Sequence, residues 1–407
     1  MAVQTGVEVL FGEQLELLRG RRVGLITNPT GVDGRLRSTA ERFRDCTDFR
    51  LTALYGPEHG VRGDAQAGEY VPFYRDPHLG LPVFSLYGET QRPPADMLTR
   101  IDAYMREYDT RHDGKTVEPR MLESIEVMVF DLQDVGTRVY TYVATMVYAM
   151  QAAAEAGIPF VVLDRPNPIT GAVMEGPVLR FPEYSSFIGL YPVPLRHGMT
   201  AGELARLFNA RFLPHPANLT VVPMAGWRRG DWFESTGLPW ILPSPNLPSV
   251  DAAVVYPGQV MLEGTTLSEG RGTTRPFELC GAPWLDGHVL ARGLNALDLP
   301  GVRFREAWFT PTFSKFAGQR CGGVQLHVGD REAFRPVLTT IALLAEVRRL
   351  GGNQLEFHAD YFDRVLGHPR VREGLLADVP AAALAEEWAP ELRAFSALRS
   401  EYLLYRP

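Results

Sequence analysis

SIEVMVFDLQDVGTRVYTYVATMVYAMQAAAEAGIPFVVLD, residues 124–164, decides the fold class. An apolar run (124–134) leads through a helical pattern (137–156) into a second apolar run (158–164). Neither run alternates apolar with polar residues, as expected of strands covered on both faces. Similar runs stand at 22–28 (RVGLITN), 50–56 (RLTALYG), 82–88 (PVFSLYG) and 219–225 (LTVVPMA), and helical patterns at 37–45, 95–108 and 200–212. The last helix has Thr200 and Glu203 in capping-box spacing, a strong start signal. Strands alternating with helices predict an open parallel α/β sheet.

The 407-residue length fits two domains. The pattern changes near Trp227. A Pro/Gly-rich stretch at 237–276 has no clear period, and is followed by a strand at 320–328 and a helix at 331–349. The division expected is 1–222 for the α/β domain and 223–407 for a smaller α+β domain. With 41 Lys+Arg against 48 Asp+Glu, the net charge of −7 argues against general binding to nucleic acid or an anionic membrane. The longest apolar stretch, 142–163, is interrupted by Gln151 and Glu155, so no membrane insertion is expected. Three scattered cysteines (Cys46, Cys280, Cys321) form neither a CxxC pair nor a disulfide framework. No basic-then-apolar leader opens the chain, so a cytoplasmic location is expected of it as given. An exported protein already stripped of its leader would read the same way. Lysine occurs twice (Lys115, Lys315) against 39 arginines, so a single arginine carries little information and a retained lysine rather more.

Ligands of open parallel sheets bind beyond the carboxyl ends of the strands. Polar clusters follow the strands here: Asn28-Pro29-Thr30, Gly56-Pro57-Glu58-His59-Gly60, Tyr87 and Glu89, Asp131 to Asp134, and Asp164-Arg165 with Asn167. Five loops should therefore converge on one edge. No GxGxxG follows the first strand, and no Walker A loop, HExxH or GxSxG occurs, which weakens dinucleotide, nucleotide and nucleophilic-serine chemistry. His59, Asp64 and His197 lack metal-ligand spacing, and no metal is expected. Carboxylates remain. Glu58 lies in a Gly-bracketed loop, and Glu263 and Glu269 in EGTTLSEGRGTT (263–274), a small, hydroxyl-rich loop. Glycosidases use one carboxylic acid to protonate the leaving oxygen and a second carboxylate as base or nucleophile. Loops from two domains could supply that pair across a cleft. Each of these groups also has a plain structural reading: a loop carboxylate bonded to nearby amides, a helix-capping Asp134, a histidine in a buried hydrogen bond. Tyr140 and Tyr142, two apart, cannot share one helix face.

Taken together, LITNPTGV (25–32), LYGPEHGVRGDAQAGE (54–69), FDLQDVGTRVYTYVATM (130–146), DRPNPITG (164–171), PLRHGMTAGELA (194–205), PSPNLPS (243–249), YPGQVMLEGTTLSEGRGTTRPFE (256–278) and PTFSKFAGQRCGGV (311–324) resemble the NamZ family of exo-β-N-acetylmuramidases. The resemblance implies a Rossmann-like N-terminal domain, a smaller C-terminal one, and an active site in the cleft between them. It implies release of N-acetylmuramic acid from the non-reducing end of peptidoglycan fragments, without cofactor. By the same resemblance Glu58 is the general acid and Glu269 the second carboxylate, supported by Asp134 and Tyr142. Asn28, His59, Arg138, Arg165, His197, Arg271, Thr273 and Lys315 are expected to contact substrate. The lactyl carboxylate of that substrate calls for a cation, for which Arg138, Arg165, Arg196 and Arg271 are available. Residues 97–118 look like an insertion relative to the family, and a loop there could cover the cleft and alter which glycans enter. Other classes consistent with the residues are a non-catalytic cell-wall sugar binder and an esterase or amidase using the same loops.

Overall fold

A computed structural model describes residues 2–66, 69, 71, 73–86 and 125–406. The expected helix at 95–108, the insertion at 97–118, and Tyr87 and Glu89 lie outside the described residues. The first unit contains α1 (Gly6–Glu13), β1 (Arg22–Thr27), α2 (Thr39–Asp45), β2 (Arg50–Gly56), β3 (Tyr74–Arg75), β4 (Pro82–Ser85), β5 (Val127–Asp131), α3 (Tyr142–Glu155), β6 (Phe160–Leu163), β7 (Glu175–Val178), β8 (Pro194–Arg196), α4 (Ala201–Arg211) and β9 (Leu219–Val222). Among the described residues its main sheet runs β3-β4-β2-β1-β5-β6-β9, parallel throughout except for the β3 edge. Leaving aside β3, the parallel strands follow the 3-2-1-4-5-6 order of the doubly wound Rossmann fold, which reverses between β1 and β5.

The missing alternation in these strands has a direct cause. Val127, Val129, Val161 and Leu163 join a core with Val7, Leu10 and Phe43 on the α1/α2 face. Met128, Phe130, Phe160 and Val162 join another on the α3/α4 face. Both faces are covered, so every position wants an apolar side chain.

The second unit contains α5 (Val250–Gln259), β10 (Leu279–Ala282), α6 (Gly287–Ala296), β11 (Val302–Phe309), β12 (Cys321–Val328), α7 (Pro336–Gly351), α8 (Ala359–Leu366), α9 (Arg370–Leu376), α10 (Ala381–Glu387) and α11 (Ala389–Ser400). Its three strands form an antiparallel sheet ordered β10-β12-β11. The α3/α4 core continues without a break into this unit through Tyr256, Leu262, Val324 and Ile341. The chain's end returns to the first unit, where the Tyr405 hydroxyl donates to Asp164 at 2.5 Å and the Leu404 N–H to Glu203 at 2.8 Å. Burial pushes the Asp164 carboxyl up to about 6. Among the described residues no helix is long and apolar enough to cross a membrane.

Two expectations need correction. The 237–276 stretch has no visible period, yet it holds α5 and a 3-10 turn at Val260–Gly264. From Ala252 to Gln259 every residue of α5 is buried, and a helix apolar all round shows no amphipathic period. Pro257 inside it hides the pattern further. The helix at 137–156 starts instead at Tyr142, so Asp134 does not cap it; its Oδ2 accepts from the Gly136 N–H at 2.7 Å in a tight local turn.

Helix α5 packs on α7 at Gly258, where an added Cβ would lie 2.0 Å from the Pro336 carbonyl oxygen. Next to it the Gln259 side chain donates to Thr340 Oγ1 at 2.8 Å. Gly258→Ala is expected to destabilise the protein by about 2 kcal/mol or more, at the upper side of overpacking costs, because the obstacle is backbone. Urea unfolding of both proteins measures it; a loss under about 0.5 kcal/mol would mean the helices do not approach this closely.

Candidate functional site

At the carboxyl edge of the parallel strands the polar loops meet and are tied together. Thr30 Oγ1, after β1, accepts from the Gln133 N–H after β5 at 3.0 Å. The Gln133 side chain donates to the Pro166 carbonyl after β6 at 2.7 Å. Asp131 accepts from Arg165 Nε at 2.6 Å and a terminal guanidinium nitrogen at 3.0 Å, and from Thr39 Oγ1 at 2.6 Å. Asn28 donates to the Tyr142 hydroxyl at 2.8 Å, which in turn donates to the Pro243 carbonyl. Asn28 and Tyr142, proposed separately from the sequence, thus form one buried unit.

A cavity of about 370 Å³ opens where these loops face the second unit. Glu58, His59 and Thr141 line it from the first unit; Glu263, Arg271 and Tyr361 line it from the second; Tyr140, Tyr256 and Phe277 supply aromatic wall. Glu58 is buried, and its Oε2 accepts from Thr141 Oγ1 at 2.6 Å. His59 has φ +72°, a left-handed backbone that a non-glycine residue adopts at some strain, and its Nδ1 is 2.8 Å from the Ala65 carbonyl. Burial lowers the His59 imidazole below its ordinary value, against the opposing pull of the Glu58 charge. It is therefore mostly neutral at pH 7.

The facing wall is a chain of charge pairs. Glu263 sits in the 3-10 turn that continues α5. Its Oε1 accepts from Arg271 at 2.7 Å and its Oε2 from the Tyr361 hydroxyl of α8 at 2.8 Å. Burial and the Glu263 charge hold the Tyr361 hydroxyl well above the usual tyrosine range. Arg271 Nε also lies 3.5 Å from Glu269, and Lys315 Nζ 3.1 Å from the other oxygen of Glu269. Burial works against the Arg271 cation, but Glu263 and Glu269 overcome it and raise its pKa. Lys315 donates as well to the carbonyls of Leu262 and Leu267, at 2.7 and 2.9 Å. The retained lysine is thus the clasp of this loop.

Several sequence candidates lie elsewhere. Arg138 is buried and donates to the carbonyls of Pro177, Val193 and Val365, and burial pushes its pKa down to about 9. Arg165 is committed to Asp131, and Arg196 to the Ile169 carbonyl. The structure spends these three cations on loop ends, leaving Arg271 as the one of the four that lines the cavity. Asp134 and His197 lie side by side, Oδ2 to Nε2 at 3.3 Å, and neither lines the cavity. Thr273 turns into its own loop, donating to the Gly270 carbonyl at 2.6 Å. Glu269, only 2% exposed, lines a neighbouring chamber rather than the cavity that holds Glu58. Among the described residues no three His, Cys, Asp or Glu side chains group as a metal site. Tyr140 and Tyr142 precede and begin α3, with ring centroids 4.7 Å apart, so both approach the site.

Sequence reasoning missed Thr141, Tyr256, Phe277 and Tyr361. The first three stand within the motifs at 130–146 and 256–278, where charged neighbours carry the stronger signal. Tyr361 has no local signal, because only the packing of α8 on the 260–264 turn brings it to Glu263.

A doubly wound sheet joined to a smaller unit, with carboxylates from both facing one aromatic-walled cavity, has the layout of a glycoside hydrolase cleft. The chain belongs to the NamZ exo-β-N-acetylmuramidase family: the family's N-terminal model matches residues 23–109 and 104–251, and its C-terminal model residues 254–405. A relative from Bacillus subtilis (strain 168), named peptidoglycan beta-N-acetylmuramidase NamZ, is 48% identical over 404 residues, covering 99% of this chain and 91% of the relative. Two crystal structures of DUF1343 family proteins from Bacteroides fragilis NCTC 9343 superpose with TM-scores of 0.87 and 0.76, at 37% and 28% identity. Each alignment covers 100% of this chain and 99% of the other.

The Thr141 hydroxyl makes no capping bond to α3, so its link to Glu58 can be removed with little effect on the helix. With Glu58 in the catalytic role proposed below, Thr141→Val is expected to lower kcat about tenfold with KM nearly unchanged, and Thr141→Ser to keep most of the rate, because misorienting a catalytic group costs rate rather than affinity. Equal loss in both variants would remove the hydroxyl from this role.

Proposed function

We propose that this chain is an exo-β-N-acetylmuramidase, a glycoside hydrolase that releases N-acetylmuramic acid from the non-reducing end of peptidoglycan-derived glycan fragments. The observation that carries the reading is the shared cavity: Glu58 from the first unit and Glu263 from the second line one space of about 370 Å³. That volume lies within the range of small-molecule pockets. The family and the 48%-identical relative support the substrate class.

Glu58 in its protonated form gives its proton to the glycosidic oxygen as the C1–O bond breaks, and the leaving sugar departs with a hydroxyl group. The hydroxyl of a water molecule ends on C1, and the proton that water gives up returns to a carboxylate, so one water is consumed per bond. Glu263 is the carboxylate that partners Glu58, as base or nucleophile. Arg271 and the Tyr361 hydroxyl donate to its two oxygens and so fix its orientation for that role. Glu269, clasped by Lys315, fixes Arg271 from behind. Arg271 is the cation within reach of the lactyl carboxylate. No cofactor or metal enters this scheme. The three cysteines are free thiols, which suits the expected cytoplasmic site of action.

Glu58→Gln and Glu263→Gln are each expected to lower turnover of a chromogenic N-acetylmuramide by about 10²–10⁴-fold, with the circular dichroism spectrum intact. Glu269→Gln should cost less. Activity of Glu58→Gln within about tenfold of wild type would sink its role as acid. N-acetylglucosaminide and ester substrates run alongside separate a muramidase from another hydrolase, and saturable binding without turnover would mark a sugar-binding protein.

A further inference from the structure

Beside the cavity that holds Glu58 lies a second chamber of about 410 Å³, which shares with it the wall made by Glu263, Arg271 and Tyr361. Its far wall is the 311–316 loop, contributing Phe313, Ser314 and Lys315. Two aromatic rings are offered to solvent there: Phe313 is 41% and Tyr361 38% exposed. Both rings belong to the lining of the chamber, so a molecule bound there meets two aromatic surfaces. Sugar rings present one face of C–H groups, which an aromatic face covers well.

The loop is also held in a shape that local preference does not favour. Ser314 and Phe316 have φ +67° and +58°. The loop is pinned from below by Gly272, whose carbonyl accepts from the Thr312 N–H at 2.9 Å and from Thr312 Oγ1 at 3.0 Å. A Cβ on Gly272 would lie 2.5 Å from the Phe313 carbonyl oxygen. Lys315, through its bonds to Leu262, Leu267 and Glu269, ties the same loop to the strand of residues that carries Glu263. Strained backbone persists where the surroundings over-determine it, and here they aim Phe313 at the chamber beside Glu263.

We propose that this second chamber is the subsite for the leaving-group sugar, an N-acetylhexosamine ring stacked on Phe313 and Tyr361. The assignment rests on the muramidase reading above. An enzyme that cuts at the non-reducing end holds one terminal sugar and lets the remaining glycan run out to solvent. The second chamber opens more widely than the first and lies across the Glu263–Arg271 partition from Glu58, so the scissile bond falls between the two chambers.

The test compares two substrates: N-acetylmuramyl-β-1,4-N-acetylglucosamine, which fills both chambers, and β-N-acetylmuramyl fluoride, whose leaving group is a single atom. In Phe313→Ala the ratio of kcat/KM for the disaccharide to that for the fluoride should fall about tenfold, and Phe313→Trp, which restores a stacking surface, should bring it back to within about twofold of wild type. An unchanged ratio overturns the assignment, whether both rates are kept or both fall together, because the second result describes a structural residue. So does a loss that Phe313→Trp does not rescue. A wild-type chain inert on both substrates sinks the muramidase reading itself, and the subsite with it.

Discussion

The reversal of strand order between β1 and β5 governs the rest of the molecule. Right-handed crossovers send the chain from β1 and from β5 to opposite faces of the sheet, so the loops leaving the two strands must part at their carboxyl ends. A gap between loops would leave buried backbone unpaired, and here it is closed by side chains: Thr30 to Gln133, Gln133 to Pro166, Asp131 to Arg165 and Thr39. These ties turn a set of surface loops into a stiff floor. Asn28 and Tyr142 extend it to the 243 segment, and so to the chain that enters the second unit.

The second unit is fixed to that floor by a shared core rather than by a hinge. Residues of α3, α5, α7 and β12 belong to one apolar cluster, and α5 meets α7 at the smallest possible residue. The 3-10 turn after α5 therefore places Glu263 with little freedom. Its charge is then managed locally: Arg271 and Tyr361 face it, and Lys315 neutralises Glu269 behind Arg271. Each member of this ring gives its neighbours a polar partner, and left alone any of them would be costly to bury.

Much of this was legible in the chain. The parallel strands and the capping box at Thr200 lie where the apolar runs and Glu203 indicate, because strand burial and helix capping are local effects. The position of Glu58 at the carboxyl edge was legible too, since its Gly-bracketed loop directly follows a parallel strand. The arginines were not. Arg138, Arg165, Arg196 and Arg271 look alike in sequence, and only the position of nearby carbonyls and carboxylates separates three structural cations from the one in the cavity. Helix α5 was hidden for the opposite reason: burial on all sides erases the period by which a helix is read.

What the sequence determined by itself was the class of fold and the set of loops gathered at the sheet's carboxyl edge, which follow from local periodicity, and the family, which follows from long motifs. Tertiary structure alone decided which carboxylate shares a cavity with Glu58. Glu263 and Glu269 are six residues apart in one loop, and nothing local distinguishes them. The packing of α5 on α7, of α8 on the turn, and the clasp of Lys315 turn one into the cavity and the other behind it. Those contacts join residues far apart in the chain, and so they exist only once it has folded.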